Sequence, residues 1–159
     1  MGVEIERKFT VKELPKDLES YPYHEIEQAY LNVNPAIRVR REDDSYYMTY
    51  KCKNSEAMTN GNIGQTEYNM PLNKDSYEHL LKKADGNVIT KRRYLIPIDE
   101  ELKIELDVFS GVFEGRILAE VEFPSEEAAR AYKPADWFDM DVTGDIRYSN
   151  SHMSTEGIL

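Results

Sequence analysis

Alternation of apolar and polar residues dominates this chain. Glu4 to Phe9, Ile26 to Val33, Ile37 to Arg41, Tyr46 to Lys53, Gln65 to Pro71, Val88 to Pro97, Leu102 to Phe109 and Arg116 to Phe123 each read as a strand. Glu42-Asp43-Asp44-Ser45 reads as a hairpin turn, and Asn54 to Gly64 as a polar loop with Asn60-Gly61 as its turn signal. Helical spacing occurs in three places. Val11, Leu14 and Leu18 share one face of Val11 to Ser20, where Pro15 is tolerated only near a helix start. Asn73 caps a helix to about Ala84, with Tyr77, Leu80, Leu81 and Ala84 on its buried face and Asp85-Gly86-Asn87 as its stop. Ser125 caps a short helix through Tyr132, ended by Pro134. Ala135 to Leu159 carries no decisive pattern.

Eight strands with short connections predict a mainly antiparallel sheet, and so few helices leave its edges to be managed by closure. The fold class is therefore mainly β (α+β), an eight-stranded antiparallel closed barrel with a few helices packed outside. The 159 residues are the length of one domain, so a single domain spans 1–159.

Successive strand residues point to opposite faces, and here the charges sort by strand. One face collects Glu4, Glu6 and Lys8 from the first strand, Arg38 and Arg40 from the third, Lys51 and Lys53 with Thr49 from the fourth, and Glu67 with Asn69 from the fifth. The same face takes Lys91 and Arg93 from the sixth, Glu105 and Asp107 from the seventh, and Glu120 and Glu122 from the eighth. A charged strand face is usually just a solvated one. Solvated faces mix signs, however, because like charges opposite each other repel. Whole acidic strands and whole basic strands imply that something lies between them. Carboxylates gather hard divalent cations, and Arg and Lys gather phosphate oxygens. Both on one face predict a metal-bound polyphosphate in a wet tunnel, with the apolar faces turned outward under the helices. Dry burial of so many charges would be prohibitive.

Overall charge adds a limit. With 30 acids against 20 Lys and Arg the net charge is -10, which excludes a general nucleic-acid binder. The tunnel face itself sums to zero, so the excess belongs to the rest of the chain, and a small polyphosphate arriving with its metal is not excluded. The lone Cys52 rules out an internal disulfide and a cysteine zinc site. No apolar run is long enough to span a membrane, and the N-terminus has no signal-peptide core, so the simplest location is the cytoplasm.

The opening Glu4-Ile5-Glu6-Arg7-Lys8-Phe9 resembles the ExExK signature of the CYTH superfamily, the triphosphate tunnel metalloenzymes. Ile37-Arg38-Val39-Arg40, Tyr50-Lys51-Cys52-Lys53, Lys91-Arg92-Arg93-Tyr94, Glu105-Leu106-Asp107 and Glu120-Val121-Glu122 follow in that family's order. So do Val142-Thr143-Gly144-Asp145 and Arg147-Tyr148-Ser149-Asn150. The resemblance covers essentially the whole chain and is nearest to the short bacterial inorganic triphosphatases. One departure is Asn69, where relatives often carry a second acid after the position of Glu67.

The resemblance implies metal-dependent hydrolysis of triphosphates, chiefly inorganic tripolyphosphate, with nucleoside triphosphates as further substrates. It implies Mg or Mn, two ions, and Glu4, Glu6, Glu120 and Glu122 as metal ligands. Asp107 joins them and Glu105 acts through water. Lys8, Arg38, Arg40, Lys51 and Arg93 become phosphate clamps, joined by Lys53, Lys91 and Arg147. Glu4, Glu6, Lys8, Arg38, Lys51 and Glu120 form the catalytic set. The partner is a small triphosphate, with no nucleic acid and no membrane, and a homodimer is compatible with the family. The alternatives are a class IV-type adenylyl cyclase, for which no base-reading motif is visible, a thiamine triphosphatase, and a non-catalytic polyphosphate-binding module, which would tolerate losing some acids. Tyr30 and Tyr47 fall on the inward face and Cys52 on the outward one. His24 and His79 read as surface residues, His152 is not expected to be a ligand, and Trp137 and Phe138 read as packing.

Overall fold

The computed structural model describes residues 2–53 and 65–156, with the backbone alone at 2–4, 53 and 65. The predicted loop over 54–64 and its Asn60-Gly61 turn lie outside the described residues. Ten strand segments form one antiparallel sheet: β1 (Gly2–Glu4), β2 (Glu6–Val11), β3 (Tyr23–Val33), β4 (Ala36–Glu42), β5 (Ser45–Lys53), β6 (Gln65–Leu72), β7 (Asp85–Pro97), β8 (Lys103–Ser110), β9 (Ile117–Glu122) and β10 (Phe138–Asp141). Among the described residues three α-helices accompany them: α1 (Lys74–Leu81), α2 (Glu126–Ala131) and α3 (Asn150–Thr155).

The order in the sheet is β1-β6-β5-β4-β3-β7-β8-β9-β2-β10. β1 and β2 are two halves of one strand broken at Ile5. The first half pairs with β6 (Glu4 opposite Gln65) and the second with β9 (Lys8 opposite Glu120). Closure therefore runs through the covalent chain, not through a continuous ladder of hydrogen bonds between the two ends. Counted as one strand, β1/β2 with β3 to β9 are the eight predicted strands. β10 adds to the outer side of β2, pairing Phe138 with Val11.

The outward faces bury one apolar cluster. Phe9, Tyr94, Ile104, Leu106, Ala119 and Val121 pack under Leu18, Phe123, Ala129 and Phe138. Phe138 stacks on Phe9 with ring centroids 4.7 Å apart, so the packing role expected of it holds. This is the predicted arrangement, with apolar faces outside under helices. Two helix expectations need correction. Val11 to Ser20 forms only a single 3-10 turn at Leu18–Ser20, because Val11 completes β2, Pro15 removes a donor and Leu14 stays exposed. α1 starts where Asn73 caps it, its side chain accepting from Ser76 N, but stops at Leu81. The predicted stop residues Asp85 and Gly86 are already in β7, because Asp85 pairs with Tyr30 on β3.

A second buried cluster lies inside the barrel. Ile89, Phe109 and Leu118 continue the inward stripes of β7, β8 and β9, and they close on Tyr30, Phe113 and Met153. Met153 belongs to α3, so this short helix fills the end where β7 starts and β8 finishes. Asn87 Nδ2 secures it by donating to the carbonyls of Met153 (3.0 Å) and Glu156 (2.8 Å), and Arg116 pairs with Glu156 at 3.1 Å. The uniformly wet tunnel expected from the charge stripe is thus a cavity backed by an apolar floor. Among the described residues no helix is long and apolar enough to cross a membrane.

Candidate active site: a two-sided charged cavity

The remaining interior is a cavity of about 520 Å³, a size typical of small-molecule sites. Its wall includes the carboxylates Glu6, Glu67, Glu105, Glu120 and Glu122 and the bases Lys8, Arg38, Arg40, Lys51 and Arg93. These ten predicted residues come from seven strands and meet because each strand offers alternate positions to the inside.

Register sets who faces whom. Glu6 lies opposite Glu122 across β2 and β9, and Glu105 opposite Glu120 across β8 and β9. Two like-charged pairs placed directly opposite are destabilising on their own. Burial pushes the Glu122 carboxyl above the ordinary range, and Glu105 and Glu67 add repulsion. Glu120 behaves differently. Burial works against its charge, but Lys8, Arg93, Lys91 and Lys51 outweigh it and hold it well below the carboxylate range. Lys8 Nζ stands 3.4 Å from Glu120 Oε1 and donates to the Tyr148 carbonyl at 3.1 Å. Burial disfavours the Lys8 ammonium, yet Glu120 and Glu6 raise its pKa on balance.

The basic side is crowded. Burial, then Arg38 and Arg93, pull the Arg40 pKa down to about 10. Arg40 Nη1 meets the Tyr47 hydroxyl at 3.2 Å, and Arg40 Nε donates to Gln28 Oε1 at 2.7 Å. Arg38 Nη2 donates to Thr49 Oγ1 at 3.0 Å, while Arg38 Nε is buried with no hydrogen-bond partner. A buried unpaired guanidinium N–H costs about 1–3 kcal/mol, and an anion in the cavity would relieve it. Arg93 is aimed from below. Its Nε and Nη2 donate to Asp107 at 2.8 and 3.0 Å, and its Nη1 to Glu105 at 3.2 Å.

Several predicted site residues lie elsewhere. Asp107 is 1% exposed and does not line the cavity; its oxygens are taken by Arg93 and by Lys91 Nζ at 2.8 Å. Lys91, also 1% exposed, lies behind the wall too, and burial, with Arg93 and Arg40 repelling it against the pull of Asp107, lowers its pKa to about 7. Arg147 has 73% of its side chain exposed, pairs with Asp145 at 2.6 Å and does not line the cavity. The side chains of Glu4 and Lys53 lie outside the described residues. Asn69 is not in the wall: it accepts from Thr49 at 2.6 Å and donates to Glu67 at 3.1 Å, bracing both. Cys52 and His152 are likewise absent from the wall, whereas Tyr30 and Tyr47 belong to it.

Glu42 and Ser151 in the wall and Gln28 behind it have no site role assigned from the sequence, and Ser149 and Asn150, also in the wall, enter there only as the close of the last motif. Gln28 was readable, because it shares the parity of Tyr30 on β3. The C-terminal residues gave no periodic signal.

A hard divalent cation fits this donor set by chemistry. Among the described residues no three acidic or imidazole side chains are gathered closely enough to hold an ion alone. A divalent ion here would take one or two carboxylates and fill its remaining positions with water and substrate phosphates.

Relatives carry the same architecture. An inorganic triphosphatase of Nitrosomonas europaea is 34% identical over 155 residues, covering 95% of this chain and 96% of the relative. An inorganic triphosphatase of Acetivibrio thermocellus is 34% identical over 156 residues, covering 96% and 94%. A crystal structure of an inorganic triphosphatase superposes with a TM-score of 0.71 at 32% identity, covering 97% of this chain and 95% of that one. A Hippeastrum protein with a dominant triphosphatase activity, 15% identical with a TM-score of 0.57 and covering 80% of this chain and 82% of that one, shares the fold alone. The CYTH domain model matches residues 2–149, and on that match and these relatives the chain belongs to the CYTH domain family.

Proposed function

We propose that the chain is a metal-dependent triphosphatase acting chiefly on inorganic tripolyphosphate and, with less selectivity, on nucleoside triphosphates. The observation that carries this reading is the cavity's two-sided wall: carboxylates facing each other across β2, β9 and β8, crowded guanidinium groups opposite, and Arg38 Nε buried without a hydrogen-bond partner.

Arg38, Arg40 and Arg93 would fork onto phosphate oxygens, with Lys8 and Lys51 as point charges. Asp107 and Glu105 hold Arg93 in place, so Asp107 is reassigned from ligand to anchor. Lys91 pairs with Asp107 beneath the wall and does not itself reach substrate. Arg147, exposed and tied to Asp145, drops out of the binding set. Glu6, Glu120 and Glu122 would share the cations, one or two carboxylates to each ion, with Glu105 acting through water and Glu4 following by its place in the motif. A divalent ion there, Mg or Mn and two in number, would neutralise phosphate charge and lower the pKa of a bound water. The chain's own residues supply position and fixed charge. Phosphoryl transfer asks mainly for these, so Cys52 outside the wall is no loss.

The test is phosphate release with Mg or Mn from tripolyphosphate, thiamine triphosphate, ATP and pyrophosphate, with cyclic AMP measured alongside. Tripolyphosphate should be cleaved fastest and excess chelator should stop the reaction. Cyclic AMP as the main product, or undiminished turnover in chelator, overturns the assignment.

A further inference from the structure

Arg40 on β4 and Arg93 on β7 reach the cavity from different strands, yet one buried chain of hydrogen bonds supports both. Arg40 Nε donates to Gln28 Oε1 at 2.7 Å. Gln28 Nε2 donates to Asn150 Oδ1 at 3.1 Å. Lys91 Nζ donates to the same Asn150 oxygen at 3.3 Å and to Asp107 Oδ2 at 2.8 Å. Asp107 in turn receives Arg93 Nε and Nη2. The members behind the wall are dry: Gln28 is 0% exposed, and Lys91 and Asp107 are as buried.

The donor inventory leaves one solution. A guanidinium only donates, so Gln28 must turn its oxygen to Arg40 and its NH₂ toward position 150. An ammonium only donates as well, so Lys91 makes the same demand on that position. The side chain at 150 must therefore offer an oxygen to two donors arriving from two strands. Asn150 does so from the first residue of α3, just past the Ser149 cap. It is the point at which the C-terminal segment touches the charged wall from behind and within.

We infer that Asn150 is a positioning residue that sets the aim of Arg40 through Gln28 and of Arg93 through Lys91 and Asp107. This rests on the cavity being the triphosphate site. Without the Asn150 oxygen, Gln28 loses the acceptor that fixes its flip, and Arg40 loses its fixed neighbour. Lys91 is left with Asp107 alone and competes with Arg93 for it. The positive charges remain in the cavity, so ground-state attraction persists while alignment is lost.

The experiment compares Asn150→Ala, Asn150→Asp and Asn87→Ala on tripolyphosphate with Mg²⁺. Asn150→Ala should lower kcat roughly 10- to 100-fold with KM nearly unchanged, as misaimed contacts do. Asn150→Asp keeps an acceptor for both donors and should recover kcat to within about threefold of wild type. Asn87→Ala frees the Met153 and Glu156 carbonyls that hold α3; it should lower Tm while leaving kcat unchanged. A wild-type kcat in Asn150→Ala, or an equal kcat loss in Asn87→Ala, overturns the inference. A second readout does not need turnover: exchange of the Arg40 Nε–H, followed by nitrogen-15 NMR, should accelerate in Asn150→Ala and not in Asn87→Ala. If the wild type hydrolyses no triphosphate the functional proposal fails, and this exchange still decides the role of Asn150: unchanged exchange in Asn150→Ala sinks it.

Discussion

Two residues along β7 from Lys91 the inward side chain is Ile89; two along β8 from Asp107 it is Phe109; two along β9 from Glu120 it is Leu118. The same three strands thus build a charged cavity and an apolar floor, with no change of face. The floor is an apolar cluster packed within the protein, and α3 completes it with Met153. In the cavity the partnering is incomplete at Arg38 Nε, which has no acceptor, and like charges stand in register where Glu6 lies opposite Glu122. The floor stores the stability that lets the cavity keep like charges together, and the cavity keeps a guanidinium N–H of Arg38 that a bound anion would pair. The difference teaches that burial alone does not define the core here; completeness of partnering does.

Four substitutions press on this contrast. Lys8→Ala and Glu6→Gln, in the cavity, should each cost at least about 100-fold in turnover, the scale of losing one electrostatic contact to the transition state. Their circular dichroism and Tm should stay near wild type; full phosphate release by either would remove the cavity from the reaction. Asp107→Asn acts at the boundary. It breaks a buried ion pair that also aims Arg93, so stability should fall by about 3–5 kcal/mol in urea unfolding, and turnover with it. Met153→Ala belongs to the floor and should cost about 2 kcal/mol, the low end for truncating a buried Met. An unchanged urea midpoint would mean that α3 does not seal the barrel.

The smallest effect concerns pH. The Glu122 pKa is raised in the folded state from the ordinary 4.5. A raised carboxyl binds its proton more tightly when folded, so its contribution is neutral below the unfolded value and turns destabilising as pH climbs through the folded one. Glu122→Gln should therefore stabilise the metal-free protein at pH 7, by only on the order of 0.5 kcal/mol because water still reaches part of the half-desolvated side chain and screens the repulsion, and do nothing at pH 3. Mg²⁺ should shrink the gain. A stabilisation seen at pH 3 and absent at pH 7 would reverse this sign and the physics behind it.

Much of the cavity was legible in the sequence because strand period is local. Glu6, Lys8, Arg38, Arg40, Lys51, Glu67, Arg93, Glu105, Glu120 and Glu122 all line it, as the alternation of their strands requires. Depth was not legible. Lys91 and Arg93 share one face, yet only Arg93 reaches the cavity, because register sets Arg93 against Asp107 and leaves Lys91 beneath them. The C-terminal segment was opaque for a different reason. Arg147 looked like a further clamp and is tied to Asp145 at the surface, while its neighbour Asn150 enters the wall. Short pieces such as Ile146–Tyr148 and α3 have too few turns to show a period, and they take shape from the barrel they cap.

Alternation by itself determined that this chain would form a barrel of antiparallel strands with charge inside, since side-chain direction in a strand needs no knowledge of the rest of the fold. It also determined which residue types face inward, the carboxylates and cationic groups on which the proposed binding of a metal-bound polyphosphate rests. Only the tertiary structure decided where the tunnel ends, which charges touch the cavity and which brace it, and that Asn150 joins two strands' arginines. Those outcomes depend on stagger between strands and on contacts between residues more than a hundred positions apart, such as Gln28 with Asn150. No local pattern encodes them.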